Sequence, residues 1–438
     1  MAGTRSEKDL LSRIKGKNFT AAIVGLGYVG LPLAMEYADA GIPVIGIDID
    51  GSKVRALRAG KSYIGDVPSE SVKKAVDAGL FTPTTDYSAA GMADTVNICV
   101  PTPLRKTKDP DLSYIVSAME HLLEYLHKDM LIVLESTTYP GTTNEVLGPM
   151  VEGKGFKVGK DIFLAFSPER VDPGNAKFTT KNIPKVVGGV TPACTKVAVA
   201  LYSGVLENVH PVSTAAVAEM VKLLENTFRS VNIALVNEIA LMSNRMGIDV
   251  WEVIDAAGTK PFGFMPFYPG PGIGGHCIPL DPFYLSWKAK QYGFESRFIE
   301  LAGVVNGQMP HYTVEKVAEA LNRSRKAVNG AKVLVLGVAY KKDISDVRES
   351  PALDILQLLA KKGAHLSYCD PYVAEVREAG MTLAASPFSA ATLRKADCVV
   401  IVTNHAAFDY KMVAREAKVI VDTRNALKGH NGRKIIKL

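Results

Sequence analysis

The sequence lacks any uninterrupted apolar run of the about 18–20 residues that a membrane-spanning helix needs. Its first residues, MAGTRSEKDLLSRIKGKNF, are polar and contain no apolar core of a secretory signal. We therefore expect a cytoplasmic protein without a membrane partner. The 438 residues are 47% hydrophobic and 22% charged, which is typical of a globular chain with two or three domains.

The sequence is also poor in cysteine, and no pattern among its five cysteines suggests a metal site. Neither a CxxC pair nor a Cys…His ligand spacing occurs, so we expect no bound metal. Cys99, Cys369 and Cys398 lie in apolar, strand-like runs and are expected to be small buried side chains. The net charge of +6 includes no basic block, which argues against a nucleic-acid partner and is compatible with anionic small molecules.

Runs rich in Val, Ile and Leu alternate with helical segments in the first and the last part of the chain. TAAIVGLG, PVIGIDID, DTVNICVPTP and MLIVLEST are typical of buried parallel strands, and AKVLVLGVAY, HLSYCDPYV, ADCVVIVTNH and AKVIVDTRN repeat the pattern. Between them, two long stretches with three- and four-residue apolar spacing predict helices. The predicted fold class is α/β, with two Rossmann-like doubly wound parallel-sheet domains (residues 1–212 and 324–438) joined by a central helical domain (213–323).

The segment VGLGYVG places Gly25, Gly27 and Gly30 in the GxGxxG arrangement between a predicted strand and a predicted helix. The first glycine allows a tight turn, the second lets a pyrophosphate approach the backbone, and the third permits close packing of helix and strand. Asp48 ends the next strand, where an acidic side chain binds the ribose 2′-hydroxyl and repels a 2′-phosphate. The pattern predicts an NAD site, and the alternative is a glycine turn beside a solvated aspartate.

The corresponding segment of the last third, LGVAYKK, contains one glycine where the fingerprint has three. Its ligand should therefore be bound differently, and Lys341, Lys342 and Arg348 are candidate partners for phosphate. The two α/β halves thus predict one dinucleotide site and one phosphate site of another kind.

Residues 269–282 read PGPGIGGHCIPLDP, and Cys277 in this loop has surroundings unlike those of the other four cysteines. A thiol reacts as the thiolate, which needs positive charge, hydrogen-bond donors or a helix N-terminus nearby. The glycines at positions 270, 272, 274 and 275 would let a substrate approach the thiol. Asp281 is either a functional carboxylate or the cap of a helix that begins near Pro279, and His276 is either a base or a loop-stabilising hydrogen-bond partner.

The predicted central helix carries a polar line within AEMVKLLEN. Lys222 and Asn226 are four residues apart and share one face with Glu219. An ammonium and an amide on one face can hold a substrate hydroxyl and a water, whereas a solvated helix face is the alternative for Glu219 and Glu225. Together with an NAD site, a nucleophilic cysteine indicates capture of an aldehyde that is then oxidised to a carboxylic acid.

Six motifs in this order resemble the UDP-glucose/GDP-mannose dehydrogenase family: GLGYVGLPLA, ESTTYPGTT, SPERVDPGN, AEMVKLLENTFRSVNIALVNE, GIGGHCIPLDP and AYKKDISDVRESP. The resemblance covers nearly the whole chain after about residue 18. It implies an NAD-dependent enzyme that oxidises the 6-hydroxyl of a nucleotide sugar to a carboxylate in a four-electron reaction. Such an enzyme would supply precursors for surface polysaccharides.

The resemblance also implies roles for particular residues. Cys277 matches the nucleophile, and Lys222 and Asn226 match the pair that stabilises the oxyanion and orients the substrate. Asp281 matches the carboxylate that, with Lys222, holds the water used in hydride abstraction and hydrolysis. The residues that complete this water network by the same resemblance are Glu169 and Thr137.

Two further sets of positions match ligand-binding positions of the family. The cofactor set is Gly25, Gly27, Tyr28, Val29, Gly30, Asp48, Lys53, Thr102 and Arg348. The UDP-sugar set is Glu169, Arg170, Lys222, Asn226, Phe267, Tyr268, Gly270, Gly274 and Lys341. The resemblance further implies a homodimer or higher homo-oligomer, with the central helices, including FIELAGVVNGQMP, in the interface.

The chain departs from the glucose-specific members in two places. Pro173 stands where they carry a second glutamate, and TKPFGF replaces a segment in which they place an arginine that reaches a neighbouring subunit's substrate. These departures favour the branch that oxidises UDP-N-acetylhexosamines, UDP-N-acetylglucosamine above all, with UDP-N-acetylmannosamine and UDP-glucose as alternatives. A two-electron hydroxyacid dehydrogenase and a non-catalytic nucleotide-sugar sensor are the rival interpretations.

Overall fold

The computed structural model describes residues 4–105, 109–171, 178–378, 380–430 and 432–438. The chain forms two compact units, the first made of residues 1–225 and 287–293 and the second of residues 226–286 and 294–438. The boundaries of the three predicted domains stay a prediction. No helix among the described residues is both long and apolar enough to cross a membrane.

The first unit is built on an eight-stranded sheet in the order β3-β2-β1-β4-β5-β6-β7-β8. The strands are β1 Ala21–Val24, β2 Val44–Ile47, β3 Phe81–Thr84, β4 Thr95–Ile98, β5 Met130–Leu134, β6 Ile162–Phe166, β7 Lys185–Gly189 and β8 Val209–Pro211. All neighbouring pairs are parallel except β6 with β7. The order of the first six strands is that of a dinucleotide-binding Rossmann sheet.

Helices cover both faces of this sheet, which is why its central strands are apolar on both sides. The helices are α1 Arg5–Lys15, α2 Gly30–Asp39, α3 Gly51–Arg58, α4 Ser69–Asp77, α5 Ser113–Leu122, α6 Gly148–Gly153 and α7 Pro192–Ser203, with a 3₁₀ helix at Tyr87–Met92 and a π-helical turn at Thr143–Leu147. The two faces bury separate apolar clusters, one around Ile23 and Val133 and the other around Val96 and Ile132. Continuous apolar runs in the sequence therefore correspond to strands that are buried on both sides.

The two long helices predicted for the middle of the chain are confirmed. The first, α8 Ala215–Met246, has 32 residues, and the second, α11 Arg297–Arg323, has 27. Small side chains let the two helices approach closely in the second unit, because Ala234 on α8 and Ala302 and Val305 on α11 form one buried cluster. The helices between them are α9 Val250–Ala257 and α10 Asp281–Lys290.

The second unit contains a five-stranded parallel sheet in the order β10-β9-β13-β14-β15. Its elements are β9 Lys332–Leu336, α12 Pro351–Lys361, β10 His365–Cys369, α13 Ala390–Lys395, β13 Cys398–Ile401, α14 Tyr410–Glu416, β14 Ile420–Asp422 and β15 Ile435–Lys437, together with an antiparallel hairpin of β11 Glu375–Glu378 and β12 Met381–Ala384. The predicted fold class, two Rossmann-like parallel sheets with a helical region between them in sequence, is confirmed.

The three cysteines predicted to be buried are buried, and Cys194 is buried as well. Burial raises the pKa of Cys369 to about 11 and that of Cys398 to about 12. It also raises the pKa of Cys99 well above the ordinary value. Cys99, Cys369 and Cys398 are therefore neutral at physiological pH, and Cys277 is the exposed cysteine.

Candidate active site

The glycine loop between β1 and α2 has the geometry that its sequence predicts. Gly25 has φ +91°, and a Cβ on it would lie 2.6 Å from the carbonyl oxygen of Cys99. A Cβ on Gly30 would collide with the carbonyl oxygen of Gly25, whereas a Cβ on Gly27 would meet no atom of the described protein within 4 Å. The first and third glycines are thus needed for packing, and the second leaves space beside the backbone.

Helix α2 begins at this loop with an N-terminus that its own Ncap residue does not cap. Val29 occupies the Ncap position, and its side chain makes no hydrogen bond to the first turn of the helix. An N-terminus of this kind presents backbone N–H groups and the positive end of the helix dipole. The arrangement suits a pyrophosphate placed over Gly27.

The carboxylate of Asp48 is buried beside the same loop, with 7% of the residue exposed. Its Oδ2 accepts a hydrogen bond from the Leu26 N–H at 2.9 Å, and its Oδ1 accepts one from the Asp50 N–H at 2.9 Å. Lys53 Nζ lies 3.4 Å from Asp48 Oδ2. The acid predicted to bind a ribose is therefore held in a fixed orientation at the end of β2, and this negative charge disfavours a 2′-phosphate.

The remaining cofactor candidates divide between the two units. Tyr28 is 47% exposed and Thr102 is buried, and both belong to the first unit together with the glycine loop. Arg348 belongs to the second unit, where its Nη2 lies 2.7 Å from Asp346 Oδ2. The structure therefore places all cofactor candidates except Arg348 in the first unit, which carries the fingerprint.

Glu169 follows β6 in the first unit and is held by backbone and side-chain donors. Its Oε1 accepts hydrogen bonds from the N–H groups of Arg170 and Val171, both at 2.7 Å, and Lys185 Nζ lies 3.3 Å from its Oε2. Burial alone would raise the pKa of Glu169, but the charge of Lys185, the two N–H groups and the charge of Lys222 lower it below the usual value. Glu169 is thus an ionised carboxylate.

Arg170, a predicted substrate contact, is turned towards other protein groups. Its guanidinium pairs with Glu225, with Nη2 2.5 Å from Oε1, and donates to the Pro184 carbonyl oxygen at 2.6 Å. Thr137, the other member of the predicted water network, is half-buried in the loop after β5. Pro173, which is one of the two departures from the glucose-specific members, lies outside the described residues.

The interpretation of Glu219 as part of a solvated helix face is wrong. The residue has no exposed surface, and its carboxylate accepts hydrogen bonds from the Gly141 N–H at 2.5 Å and from the N–H and Oγ1 of Thr143 at 2.9 and 2.6 Å. Burial raises its pKa although these hydrogen bonds oppose the shift. Glu219 therefore anchors the loop that contains Thr137.

In the second unit, Cys277 lies in the loop before α10, four residues ahead of Asp281. Its carbonyl oxygen accepts hydrogen bonds from the Leu280 N–H at 3.2 Å and the Asp281 N–H at 2.8 Å, which form the turn that leads into the helix. Its side chain is exposed, unlike those of the other four cysteines. An exposed thiol is accessible to a reactant, so the position has one of the features that a nucleophile requires.

Asp281 opens the first turn of α10, as one of its two interpretations predicted. Asn226 on α8 donates a hydrogen bond from Nδ2 to Asp281 Oδ2 at 2.6 Å, and both residues are buried. Lys222 is also buried and lies one turn earlier on α8, so it shares a helix face with Asn226. His276, next to the thiol, has a pKa below the usual value because burial and the charge of Arg348 disfavour its protonated form, and it is neutral at pH 7.

The glycines of the cysteine loop pack against other parts of the second unit. A Cβ on Gly270 would lie 2.6 Å from Arg424 Nη1, and a Cβ on Gly274 would lie 2.6 Å from the Cβ of Tyr340. Gly275 has φ +84°, and its Cβ would lie 2.8 Å from the ring of Tyr340. Close packing inside the protein, which the sequence interpretation did not consider, is thus one reason for these glycines.

A pocket with a volume of ≈ 340 Å³ adjoins this loop within the second unit, and its lining residues are Trp251, Asp255, Tyr268, Pro269, Asn404, Arg424, Asn425 and Lys428. The rings of Trp251 and Tyr268 are stacked with centroids 5.8 Å apart. The Tyr268 hydroxyl donates to Asp255 Oδ1 at 2.8 Å, and Lys428 Nζ lies 2.7 Å from Asp255 Oδ2. The pocket therefore combines an aromatic wall with cationic groups.

Arg424 is one of the residues of this pocket that sequence reasoning missed. Its Nε donates to the Val402 carbonyl oxygen at 2.9 Å, and burial lowers its pKa to about 10, so the guanidinium stays charged. A signal for it was available, because Arg424 follows the predicted strand in AKVIVDTRN. Ligands of open α/β sheets bind beyond the carboxyl ends of the strands.

The glycine loop, the uncapped helix and the acid after β2 fit a dinucleotide, so the first unit is of the Rossmann dinucleotide-binding class. Three models of the UDP-glucose/GDP-mannose dehydrogenase family match the chain: the NAD binding domain at residues 19–206, the central domain at 216–308 and the UDP binding domain at 334–429.

Individual relatives agree with this match. The chain is 36% identical to a UDP-N-acetyl-D-glucosamine 6-dehydrogenase of Pseudomonas aeruginosa over 90% of this chain and 92% of that protein. It is 35% identical to a UDP-N-acetyl-D-mannosamine dehydrogenase of Yersinia pestis over 92% of this chain and 98% of that protein. The solved structure of UDP-D-ManNAc dehydrogenase from Pyrococcus horikoshii superposes with a TM-score of 0.87 at 32% identity, covering 95% of this chain and 98% of that one.

The chain belongs to the UDP-glucose/GDP-mannose dehydrogenase family. It is an NAD-dependent UDP-sugar 6-dehydrogenase, and its cofactor is NAD. The hydroxyacid dehydrogenase and the non-catalytic sensor are therefore set aside.

Proposed function

We propose that the chain oxidises the C6 hydroxyl of a UDP-N-acetylhexosamine, preferably UDP-N-acetylglucosamine (UDP-GlcNAc), to the uronic acid through covalent intermediates on Cys277. The observation that carries the covalent step is the exposure of Cys277 in the loop before α10 while the other four cysteines are buried. An aldehyde can reach a thiol in this place, and the thiolate is the form that attacks it.

The proposed reaction has three stages. Loss of a hydride and a proton from the C6 alcohol gives an aldehyde, and Cys277 Sγ adds to its carbonyl carbon to form a thiohemiacetal. Loss of a second hydride and proton gives a thioester, and water hydrolyses it to the carboxylate and the free thiol. NAD, when bound, accepts the hydride in each oxidation, so two NADH are released per uronic acid.

The polar residues that match the family's catalytic positions have separate roles in this proposal. Lys222 and Asn226 stabilise the oxyanions of the thiohemiacetal stage and orient the sugar. Asp281 accepts a hydrogen bond from Asn226 and, with Lys222, holds the water for hydrolysis. The ionised carboxylate of Glu169 is suited to orient that water as an acceptor, together with Thr137.

The UDP part is assigned to the second unit. Gly274 packs against Tyr340, and Lys341 is the next residue in the chain after Tyr340. The segment from Phe267 to Gly270 borders the pocket. The stacked ring of Tyr268 and the charged guanidinium of Arg424 are suited to a uracil base and to phosphate oxygens, respectively. Arg424→Met should therefore raise the KM for the UDP-sugar while the Kd for NAD, measured by fluorescence titration, stays unchanged.

The choice of sugar rests on the two departures from glucose-specific members and on the names of the relatives. The similar identities to a UDP-N-acetyl-D-glucosamine enzyme and to a UDP-N-acetyl-D-mannosamine enzyme, 36% and 35%, favour an N-acetylhexosamine over glucose. The test is NADH formation with UDP-GlcNAc, UDP-ManNAc, UDP-GalNAc and UDP-glucose under the same conditions. We expect the highest kcat/KM with UDP-GlcNAc, and a preference for UDP-glucose would contradict the assignment.

The covalent step is tested by Cys277→Ser. We expect uronic acid formation to fall by about 10³-fold or more, because the aldehyde can no longer be captured as a thiohemiacetal. Product is measured by mass spectrometry and compared with NADH release, with NAD affinity as the control for an intact cofactor site. Release of the full two NADH per sugar by this variant would show that the covalent mechanism is wrong.

We further propose a homodimer that buries the outer faces of α8 and α11. Large apolar side chains that are 46–77% exposed lie along these helices in the second unit: Phe228, Leu235, Met242, Met246, Phe298, Leu301 and Val304. Exposed apolar rows of this size mark interaction surfaces, and the inner faces of the same helices are already packed against each other. Light scattering on Leu235→Lys should detect a monomer, and a dimer that survives this change would contradict the assignment.

The cytoplasmic setting and the role in polysaccharide precursors remain predictions.

A further inference from the structure

Lys185, at the start of β7, is a buried cation in the first unit that neither the sequence motifs nor the proposed mechanism uses. Only 4% of its side chain is exposed, and its Nζ lies 2.5 Å from Glu135 Oε2 and 3.3 Å from Glu169 Oε2. Burial would lower the pKa of Lys185, but the two carboxylates raise it well above the usual value. A buried ammonium is tolerated only when it is paired in this way, so Lys185 joins two carboxylates through one charge.

Glu135, at the end of β5, is fixed on all sides. Its Oε1 accepts hydrogen bonds from Asn97 Nδ2 at 2.9 Å and from the Tyr202 hydroxyl at 2.5 Å, and its Oε2 faces Lys185. Only 1% of the residue is exposed. Because its oxygens are occupied by protein donors, Glu135 serves as an anchor that determines where the Lys185 ammonium lies.

Glu169 differs from Glu135 in how its two carboxylate oxygens are used. The backbone of its own loop binds Oε1, whereas Oε2 faces a partner outside this loop. Glu169 Oε1 accepts hydrogen bonds from two backbone N–H groups, and the protein donor found near Oε2 is Lys185. The distance from Lys185 Nζ to Glu169 Oε2 is 3.3 Å, which is 0.8 Å longer than the 2.5 Å from Lys185 Nζ to Glu135 Oε2. The other cation that acts on Glu169 is Lys222 from α8. The nearby guanidinium of Arg170 is engaged by Glu225, and the thiol of Cys99 is neutral.

We propose that Lys185 is a positioning residue that holds the carboxylate of Glu169 in place and ionised for the sugar oxidation, and that Glu135 holds Lys185. The proposal rests on the proposed role of Glu169 in the water network. Lys185 acts through Glu169 and does not touch substrate.

The test compares the pH dependence of kcat with UDP-GlcNAc in wild type and Lys185→Met. Methionine has a similar length but no charge, so the opposite charge that lowers the pKa of Glu169 is lost. We expect the acidic limb of the profile to move up by about 1 pH unit or more, since the carboxylate then takes up a proton at higher pH. At pH 7 kcat should fall by about 10- to 100-fold, while the KM for NAD stays unchanged.

Lys185→Arg is the matched control, because it keeps a positive charge at the same place and should return the acidic limb towards its wild-type position. If Lys185→Met does not fold, the double variant Lys185→Met with Glu135→Gln removes the unpaired buried charge and should show the same shift. A lower kcat with an unmoved acidic limb in the folded variant would show a merely structural role and overturn the proposal.

Glu169→Gln separates this proposal from the proposed function. If Glu169→Gln is impaired and Lys185→Met has the wild-type profile, only the role of Lys185 is wrong. If Glu169→Gln forms uronic acid at the wild-type rate, the role given to Glu169 in the proposed function is wrong, and the role of Lys185 falls with it.

Discussion

The two parallel sheets place the same residue types at the same points but use them differently. In both, a glycine with positive φ follows the first strand and an aspartate follows the second strand: Gly25 and Asp48 in one, Gly337 and Asp370 in the other. Asp48 accepts one hydrogen bond from its glycine loop, whereas Asp370 Oδ2 accepts two, from the N–H groups of Val338 at 2.8 Å and Ala339 at 3.2 Å. In the second loop, the N–H groups that a phosphate would need therefore donate to the carboxylate of Asp370.

The helices that follow these loops differ in the same sense. Helix α2 starts at Gly30, the last glycine of its loop, and Val29 gives it no side-chain cap. Helix α12 starts only at Pro351, and the Ser350 side chain accepts a hydrogen bond from the Ala352 N–H at 3.3 Å. The two sheets thus differ in both the loop and the start of the following helix, and the shared α/β topology does not supply an anion-binding site by itself.

The largest effect is expected from Gly30→Ala. The new Cβ would collide with the Gly25 carbonyl oxygen, so α2 and the loop must separate and the pyrophosphate site is lost. We expect NAD affinity to fall by about 100-fold or more, equivalent to about 2.7 kcal/mol, in a calorimetric titration.

Gly337→Ala is the matched change in the second sheet, where a Cβ would meet the carbonyl oxygen of Thr403 at a positive φ. It should lower the melting temperature and leave NAD affinity of the folded protein unchanged. Equal losses of NAD affinity in the two variants would mean that the two glycine loops are not functionally distinct.

The next effect in size concerns stability and comes from Asp370→Asn. The carboxylate accepts four backbone hydrogen bonds and lies 3.0 Å from His405 Nε2, and an amide nitrogen in its place would face donors. We expect the free energy of unfolding at pH 7 to fall by about 2–3 kcal/mol in urea denaturation. NAD affinity should not change.

The pH dependence of this loss has a definite sign. Burial would raise the pKa of Asp370, but the hydrogen bonds from His405 and the backbone lower it below its usual value. A lowered folded-state pKa means that the stabilisation is complete above the unfolded pKa of about 3.9 and is lost as the pH falls through the folded value. The difference between wild type and Asp370→Asn should therefore be constant from pH 5 to 7, within about 0.5 kcal/mol, and shrink below about pH 4. A difference that grows towards low pH would contradict this account.

Asp48→Asn should give the opposite outcome to Asp370→Asn. Removing its negative charge should weaken NAD binding by about tenfold, since a charge-assisted hydrogen bond to the ribose is lost, and should improve the use of NADP relative to NAD. Steady-state kinetics with both cofactors measure this change. Loss of stability as large as that of Asp370→Asn, without a change in cofactor preference, would remove the distinction between the two acids.

Local patterns in the sequence were sufficient to predict the glycine loop and the acid of the first sheet. The glycine spacing and Asp48 lie close together in the sequence and have a known geometric reason. The burial of Glu219 could not be predicted, because it depends on donors in a loop about 80 residues away that only the folded unit brings together. Lys185 was missed for the same reason, since a lysine at the first position of a strand is usually solvated.

The same limit applies to the cysteine loop. Its glycines were assigned to the approach of a substrate, whereas Tyr340 and Arg424, which lie far along the chain, pack against three of them. Composition predicts that a loop is tight, but it does not identify what the loop packs against. Residues whose role depends on such pairings need the tertiary structure.

The smallest expected effect is that of Ser350→Ala, which removes the cap that distinguishes α12 from α2. The Oγ of this buried serine is the acceptor for the Ala352 N–H, and loss of an Ncap acceptor costs about 1 kcal/mol in the free energy of unfolding. Ser350→Asp, which keeps an acceptor at the Ncap, should recover most of the loss in the same urea denaturation. If an uncapped helix were sufficient to bind a dinucleotide, Ser350→Ala would also gain a second NAD site in calorimetry. We expect no such gain, because Asp370 still occupies the N–H groups of Val338 and Ala339 and α12 still begins far from them in the chain.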